Sequence, residues 1–352
     1  MTKIEKLILT LAETHSLSLE DYEYLILHRT PEAEEMLRTL ADRARKEIYG
    51  NTVYIRGLIE IGNICKNDCL YCGIRKSNRR CTRYRLSDDE ILSCCDEGYA
   101  LGFRTFVLQG GETDADTDES IGRLVRHIKK RYPDVAVTLS LGEKSKETYR
   151  AWKEAGADRY LLRHETADAD HYALLHPSPL SFENRMRCLD DLKSLGYQVG
   201  CGFMVGSPHQ TARHIAKDLQ FIERFKPQMC GIGPFIPSAD TVFANEPAGT
   251  LPLTCYLLSI IRLIHPAVLL PATTALGTIH PEGREMGIRA GANVVMPNLS
   301  PQSTRKQYAL YDNKLSDGAE AAENKKALCR RIEAIGYEVV TARGDAKSTE
   351  LS

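Results

Sequence analysis

Val53-Tyr54-Ile55-Arg56-Gly57-Leu58-Ile59-Glu60-Ile61 leads, after three residues, into Cys65-Lys66-Asn67-Asp68-Cys69-Leu70-Tyr71-Cys72. The first run reads as a strand. The second sets three thiols in a C-x3-C-x2-C spacing at the end of that strand. Close-set thiolates bind a soft metal centre, either iron–sulfur or zinc. The count narrows the choice, because a structural zinc site or an electron-carrying cubane takes four protein ligands. Three thiolates on a four-iron cluster leave one iron open to chelation by a small molecule. Cys81 is a candidate fourth ligand, which would give a zinc-binding scaffold or a four-cysteine electron carrier. Between Cys72 and Cys81, Arg75, Lys76, Arg79 and Arg80 read as a solvated basic loop, suited to an anionic cluster or an acidic partner.

Outward from this stretch, short apolar runs alternate with helical patterns. Strand expectations are 53–61, 104–109, 135–141, 158–164, 197–204, 228–234, 267–272 and 292–296. Helices are expected at 87–101, 119–131, 145–155, 181–195, 210–225, 252–264 and 282–290, with a last one at 320–335. Continuous rather than alternating hydrophobicity suits parallel strands covered by helices. The repeat predicts an α/β fold, a complete (β/α)8 TIM barrel, with an open doubly wound sheet as the runner-up. Residues 1–50 read as an N-terminal helical extension, 51–340 as the barrel and 341–352 as a C-terminal tail.

A barrel puts its chemistry at the C-terminal strand ends. Those ends are polar or glycine-rich throughout: Gln109-Gly110-Gly111-Glu112, Ser140-Leu141-Gly142-Glu143, Arg163-His164-Glu165-Thr166, Met204-Val205-Gly206, Pro271-Ala272-Thr273-Thr274 and Met296-Pro297-Asn298. Glycines at 110 and 111 let a ligand approach the backbone. On a strand, Arg163 and Glu165 share a face, where they can meet a carboxylate and hydroxyls or an ammonium, or can form a structural ion pair; His164 takes the other face as a core histidine. Arg185, early in a helix, is a candidate carboxylate clamp or a solvated residue. Met204, Thr273, Thr274 and Met296 are expected to line the interior, although methionines pack cores and threonines cap helices. Cys201 and Cys230 read as small buried hydrophobes.

Bulk properties exclude several classes. A net charge of −1 points to neither nucleic acid nor an anionic membrane. No apolar run approaches the ~20 residues of a membrane span. The start, Met1-Thr2-Lys3-Ile4, lacks a signal-peptide pattern. Eleven cysteines, an odd number in 352 residues, argue against a disulfide framework and for a reducing cytoplasm.

Cys65, Cys69 and Cys72, with Tyr71 before the third, resemble the cluster loop of radical S-adenosylmethionine (SAM) enzymes. The resemblance implies a [4Fe–4S] cluster whose unique iron is chelated by SAM, and reductive cleavage of SAM to a 5′-deoxyadenosyl radical. It also implies SAM contacts from Tyr71, Gly110, Gly111, Glu112, Ser140, Arg163, Glu165 and Arg185, and a substrate cavity at Met204, Thr273, Thr274 and Met296. The runs Gly156-Ala157-Asp158-Arg159-Tyr160-Leu161-Leu162-Arg163-His164-Glu165-Thr166, Gly231-Ile232-Gly233-Pro234-Phe235-Ile236-Pro237 and Gly291-Ala292-Asn293-Val294-Val295-Met296-Pro297-Asn298 resemble the HydE family of [FeFe]-hydrogenase maturases. Methylornithine synthase-like and biotin synthase-like enzymes are the alternatives. What HydE implies is assembly of the di-iron subcluster and its dithiomethylamine bridge from a cysteine-bound Fe(CO)2(CN) unit, or more broadly a small organometallic or amino-acid-derived substrate. It also implies a flavodoxin- or ferredoxin-type reductant and other hydrogenase maturases as partners. Some family members carry an accessory cluster on a C-terminal cysteine trio. The corresponding segment, Tyr308 to Lys325, has no cysteine, so one cluster is expected.

Overall fold

The computed structural model describes all residues except 115–116, 317, 319–320 and 348–352. Three helices come first: α1 (Lys3–Thr14), α2 (Leu19–Leu27) and α3 (Pro31–Tyr49). Each starts at a hydroxyl cap, Thr2, Ser18 or Thr30, whose side-chain oxygen accepts a backbone N–H of the first turn. Their apolar faces join the main core through Ile8, Leu11, Tyr22, Leu25 and Leu37.

The strands are β1 (Thr52–Ile55), β2 (Gly57–Gly62), β3 (Thr105–Gly110), β4 (Ala136–Ser140), β5 (Arg159–Leu161), β6 (Gln198–Cys201), β7 (Met204–Val205), β8 (Met229–Cys230), β9 (Gly233–Pro234), β10 (Val294–Val295) and β11 (Glu338–Val340). All ladders are parallel. They run β2-β3-β4-β5-β6-β8, with β7-β9 above and β10-β1-β11 on the other side. Helices cover the outside, so the strands other than β11 are largely buried on both faces, as their continuous hydrophobicity requires.

Several expectations need correction. The 267–272 stretch forms no ladder; single bridges join Leu269 to Met229 and Pro271 to Val294. The first strand is broken at Arg56. The fifth and sixth are broken at 202–203 and 231–232, where Gly202 has φ +151. A Cβ there would lie 2.0 Å from the Gly231 oxygen, so close backbone approach replaces the ladder. The last helix begins at Lys325, after a 3-10 turn at Ala322–Asn324. An unexpected strand, β11, pairs with β1 through Val53↔Val339 and Tyr54↔Val340. The described part of the expected tail packs against the sheet: Arg159 Nη2 donates to the Arg343 carbonyl at 2.8 Å and meets Asp345 Oδ1 at 2.6 Å.

Candidate functional site

Cys65, Cys69 and Cys72 follow β2 and line a cavity of about 350 Å3. Around the same cavity stand Tyr71, Gly110, Gly111, Glu112 and Ser140. Arg163, Glu165 and Arg185 form its side, and Met204, Thr273, Thr274 and Met296 its deeper wall. Every candidate site residue read from the chain is therefore brought to one space. Cys81 does not line it; Asn63 Nδ2 donates to its sulfur at 3.4 Å. Among the described residues, no three His, Cys, Asp or Glu side chains converge as a single ion would need. All eleven cysteines are free.

The cluster loop is held from several sides. The Lys66 N–H donates to the Glu112 carbonyl at 2.8 Å, Leu70 N–H to Leu175 at 3.0 Å and Gly73 N–H to Leu310 at 2.8 Å. A Cβ at Gly111 would sit 2.2 Å from the Ile64 oxygen and 2.9 Å from Cys65 Cβ, so only glycine lets this turn lie against the loop. Burial pushes the Cys72 thiol up to about 12 and those of Cys65 and Cys69 upward as well. Without metal they are thiols, and coordination of a cation supplies the charge that favours thiolates.

Tyr71 is positioned by a histidine. Its hydroxyl donates to His176 Nε2 at 3.3 Å, because His176 Nδ1 donates to the Tyr172 carbonyl at 3.0 Å. His176 also stacks on Tyr172, with ring centroids 3.9 Å apart. Burial lowers its pKa to about 3, which keeps it neutral and able to accept that bond.

Arg163 and Glu165 do not share a strand face, contrary to the expectation. β5 ends at Leu161, and Glu165 has φ +65, a left-handed conformation that is strained for a residue with a Cβ. They still meet, with Arg163 Nη2 3.2 Å from Glu165 Oε2. That contact is electrostatic but not an aligned hydrogen bond: Arg163 Nε and Nη2 and Glu165 Oε2 are buried without hydrogen-bond partners. His164 points away at 0% exposure, its Nε2 3.2 Å from Asp218 Oδ1, as a core histidine should. Arg185 is not solvated. Its Nε donates to Glu143 Oε1 at 2.5 Å and its Nη1 to the Arg163 carbonyl at 2.6 Å. Thr273 sits at a helix N-cap without capping, and its buried hydroxyl has no partner.

These orphaned groups test whether the expected cofactors fit. A carboxylate-binding guanidinium, an acceptor carboxylate and a hydroxyl face a cavity that also holds three thiols and a glycine cradle. The donor set matches a thiolate-held cluster and a polar, zwitterionic ligand beside it.

Some lining residues escaped the sequence reading. Glu60, on β2, is 0% exposed and accepts from Asn298 Nδ2 at 2.9 Å and from Lys314 Nζ at 2.6 Å. Its charge within an apolar run was the available signal. Gln109, which donates to Tyr308 OH at 3.4 Å, and Met229 also line the cavity. Glu143 was visible as a strand ending but was not read as the anchor of Arg185. Cys201 and Cys230 face each other in register, fully buried, away from the cavity.

The Radical SAM superfamily model matches residues 59–222. HydE, the [FeFe] hydrogenase maturase subunit of Thermotoga maritima, is 48% identical over 281 residues, covering 80% of each chain. The 3-methylornithine synthase of Methanosarcina acetivorans is 29% identical over 93% of this chain and 91% of its own. Among solved structures, methylornithine synthase (PylB) superposes with a TM-score of 0.83 at 26% identity, covering 95% of this chain and 97% of that one. The chain belongs to the radical SAM superfamily: it is a radical SAM enzyme homologous to the hydrogenase maturase HydE, with a [4Fe–4S] cluster and S-adenosylmethionine as its cofactors.

Proposed function

We propose that this enzyme assembles the di-iron subcluster of an [FeFe]-hydrogenase, acting on a cysteine-bound Fe(CO)2(CN) precursor to build the dithiomethylamine bridge. The observation that carries this is the one cavity lined by three thiols, the Arg163–Glu165 ion pair with its unmade hydrogen bonds, the Thr273 hydroxyl and the Gly110–Gly111 turn. The 48% identity to HydE supports the same reading.

In this reading Cys65, Cys69 and Cys72 hold the cluster, which supplies the electron that cleaves SAM to a reactive primary-carbon radical. The chain's own work is positioning and exclusion of water. Glu112 and the Gly110–Gly111 backbone take the SAM amino group. Arg163 and Arg185 face its carboxylate, Glu165 and Ser140 bond its hydroxyls, and Tyr71 packs near the adenine. Met204, Thr273, Thr274 and Met296 hold the substrate. We take the sheet to be a complete (β/α)8 barrel spanning 51–340, behind a helical extension at 1–50, with 341–352 as its tail; the single bridges on both sides of 267–272 support that closure. A flavodoxin- or ferredoxin-type reductant and other hydrogenase maturases are its partners, in the cytoplasm. Free cysteines fit such a reducing compartment, and no helix among the described residues is long and apolar enough to cross a membrane.

The test is anaerobic. The reconstituted, reduced protein is expected to give a cubane EPR signal altered by SAM, and 5′-deoxyadenosine that Cys69→Ala abolishes. A colourless protein, or a cluster indifferent to SAM, would overturn the reading. The similarity to 3-methylornithine synthase over 93% of the chain favours one second reading, synthesis of 3-methylornithine. Analysis of the reduced, SAM-supplied protein incubated with amino acids for 3-methylornithine tests it.

A further inference from the structure

Cys65 lines two spaces. On its inner side is the cavity just described; on its outer side is a separate surface cleft of about 510 Å3. Of the three thiols, only Cys65 borders both, and with Gly110 and Gly111 it forms the wall between the two spaces. Beside it Ile64 is 47% exposed, an apolar residue left at the rim.

In the cleft's lining five cationic side chains, Lys66, Lys76, Arg83, Arg85 and Lys144, outnumber two carboxylates, Asp114 and Asp118, the second of which Lys144 pairs. Lys76 and Arg85 line the cleft, and Arg79 lines a neighbouring hollow of about 420 Å3. All three are exposed, and none has a carboxylate partner among the described ion pairs. Among the described residues, Arg85 donates to Ser120 Oγ at 3.3 Å. The hollow is bordered by Val242, 66% exposed. The loop carrying these charges is not loose. Arg83 donates to the carbonyls of Asn63 at 2.7 Å, Ile74 at 2.8 Å, Arg75 at 2.5 Å and Asn78 at 3.2 Å. A rigid, mainly basic surface edged by the exposed apolar residues Ile64 and Val242 has the character of a protein-docking surface.

We propose that this face docks an acidic one-electron donor protein, whose electron enters by way of Cys65. The inference rests on the radical SAM reading. One electron leaves the donor, which is oxidised by one unit, and enters the cluster held by Cys65, Cys69 and Cys72, which is reduced by one unit; no bond forms or breaks. Unpaired lysine and arginine charges steer an anionic partner, and their effect falls with salt. The position of Cys65 selects an electron donor over other acidic proteins, since it keeps the transfer path to one residue's thickness of protein.

The experiment compares wild type with Lys76→Glu/Arg79→Glu/Arg85→Glu, both carrying reconstituted cluster. Stopped-flow absorbance follows cluster reduction by flavodoxin hydroquinone and, separately, by dithionite. Flavodoxin reduction of the variant is expected to slow at least tenfold at low ionic strength and to lose its salt dependence. Dithionite reduction and dithionite-driven 5′-deoxyadenosine formation are expected to match wild type. Calorimetry with oxidised flavodoxin and the oxidised, cluster-loaded protein gives a second readout, with binding weakened by salt and absent in the variant. Equal flavodoxin rates in both proteins, with unchanged salt dependence and binding, would overturn the proposal. Failure of dithionite to support SAM cleavage in wild type would instead overturn the proposed function.

Discussion

Lys314 Nζ lies 2.6 Å from Glu60 Oε1 at the edge of the cavity, joining the segment after β10 to β2. Glu60 is fully buried, and its second oxygen is held by Asn298 Nδ2. The pair ties down a segment whose Leu310 carbonyl also holds the cluster loop at Gly73.

Removing one partner of this pair leaves a buried charge unbalanced. Lys314→Met is expected to cost about 3 kcal/mol or more in stability. The double variant Glu60→Gln/Lys314→Met is expected to recover most of that loss. Urea denaturation of the wild type, both single variants and the double variant closes the cycle; strict additivity would count against the coupling.

Cys81 lies outside the cavity, so iron content separates it from the trio. Cys81→Ala is expected to bind as much iron and sulfide as wild type and to form 5′-deoxyadenosine. Cys72→Ala is expected to lose both. Loss of the cluster in Cys81→Ala would make it a fourth ligand.

The Thr273 hydroxyl lines the cavity and has no hydrogen-bond partner among the described residues. Thr273→Val therefore breaks no hydrogen bond within the protein and is expected to leave the melting temperature equal or slightly higher. If the hydroxyl bonds a polar substrate, the same change is expected to raise KM by roughly 5- to 30-fold, equivalent to about 1–2 kcal/mol. Thermal melts of the ligand-free protein and substrate kinetics give the two readings.

Gly111→Ala would push a Cβ to 2.2 Å from the Ile64 carbonyl, a backbone atom that cannot swing aside. The cluster loop must move. The expected result is a cluster loading and nucleoside yield reduced at least tenfold, measured by iron content and product analysis, with the fold retained by circular dichroism.

His176 is neutral when folded, with a pKa near 3 against an ordinary 6.5. The unfolded chain binds the proton first as pH falls, so the contribution of His176 to stability is present above 6.5 and is lost between 6.5 and about 3. The expected slope is about 1.4 kcal/mol per pH unit below 6. His164 is also lowered to about 3, but the buried Asp218 carboxyl beside it is pushed up, so that pair keeps one shared proton while the unfolded chain moves it to histidine. Its net slope between pH 4 and 6.5 is therefore close to zero. Urea melts from pH 7.5 to 4.5 should show the acid slope shrink in His176→Gln; an unchanged slope would count against the assignment.

The sequence alone determined what is written within a few neighbouring residues. Three thiols in C-x3-C-x2-C spacing, the alternation of short apolar runs with helical periods, and polar strand ends were all legible, because periodicity and turn chemistry are local. Tertiary structure decided which buried charges find partners. Glu60 and Lys314 are 254 residues apart, and no local pattern joins them. It also decided that Glu165 takes a left-handed turn, so that Arg163 and Glu165 meet outside any strand. Likewise, Glu143 occupies Arg185, and the Thr273 hydroxyl leaves its helix uncapped. The physical reason is common to all four. A buried polar group settles where the packed fold brings its partners or leaves room for a ligand, and that depends on chain segments far from it in sequence.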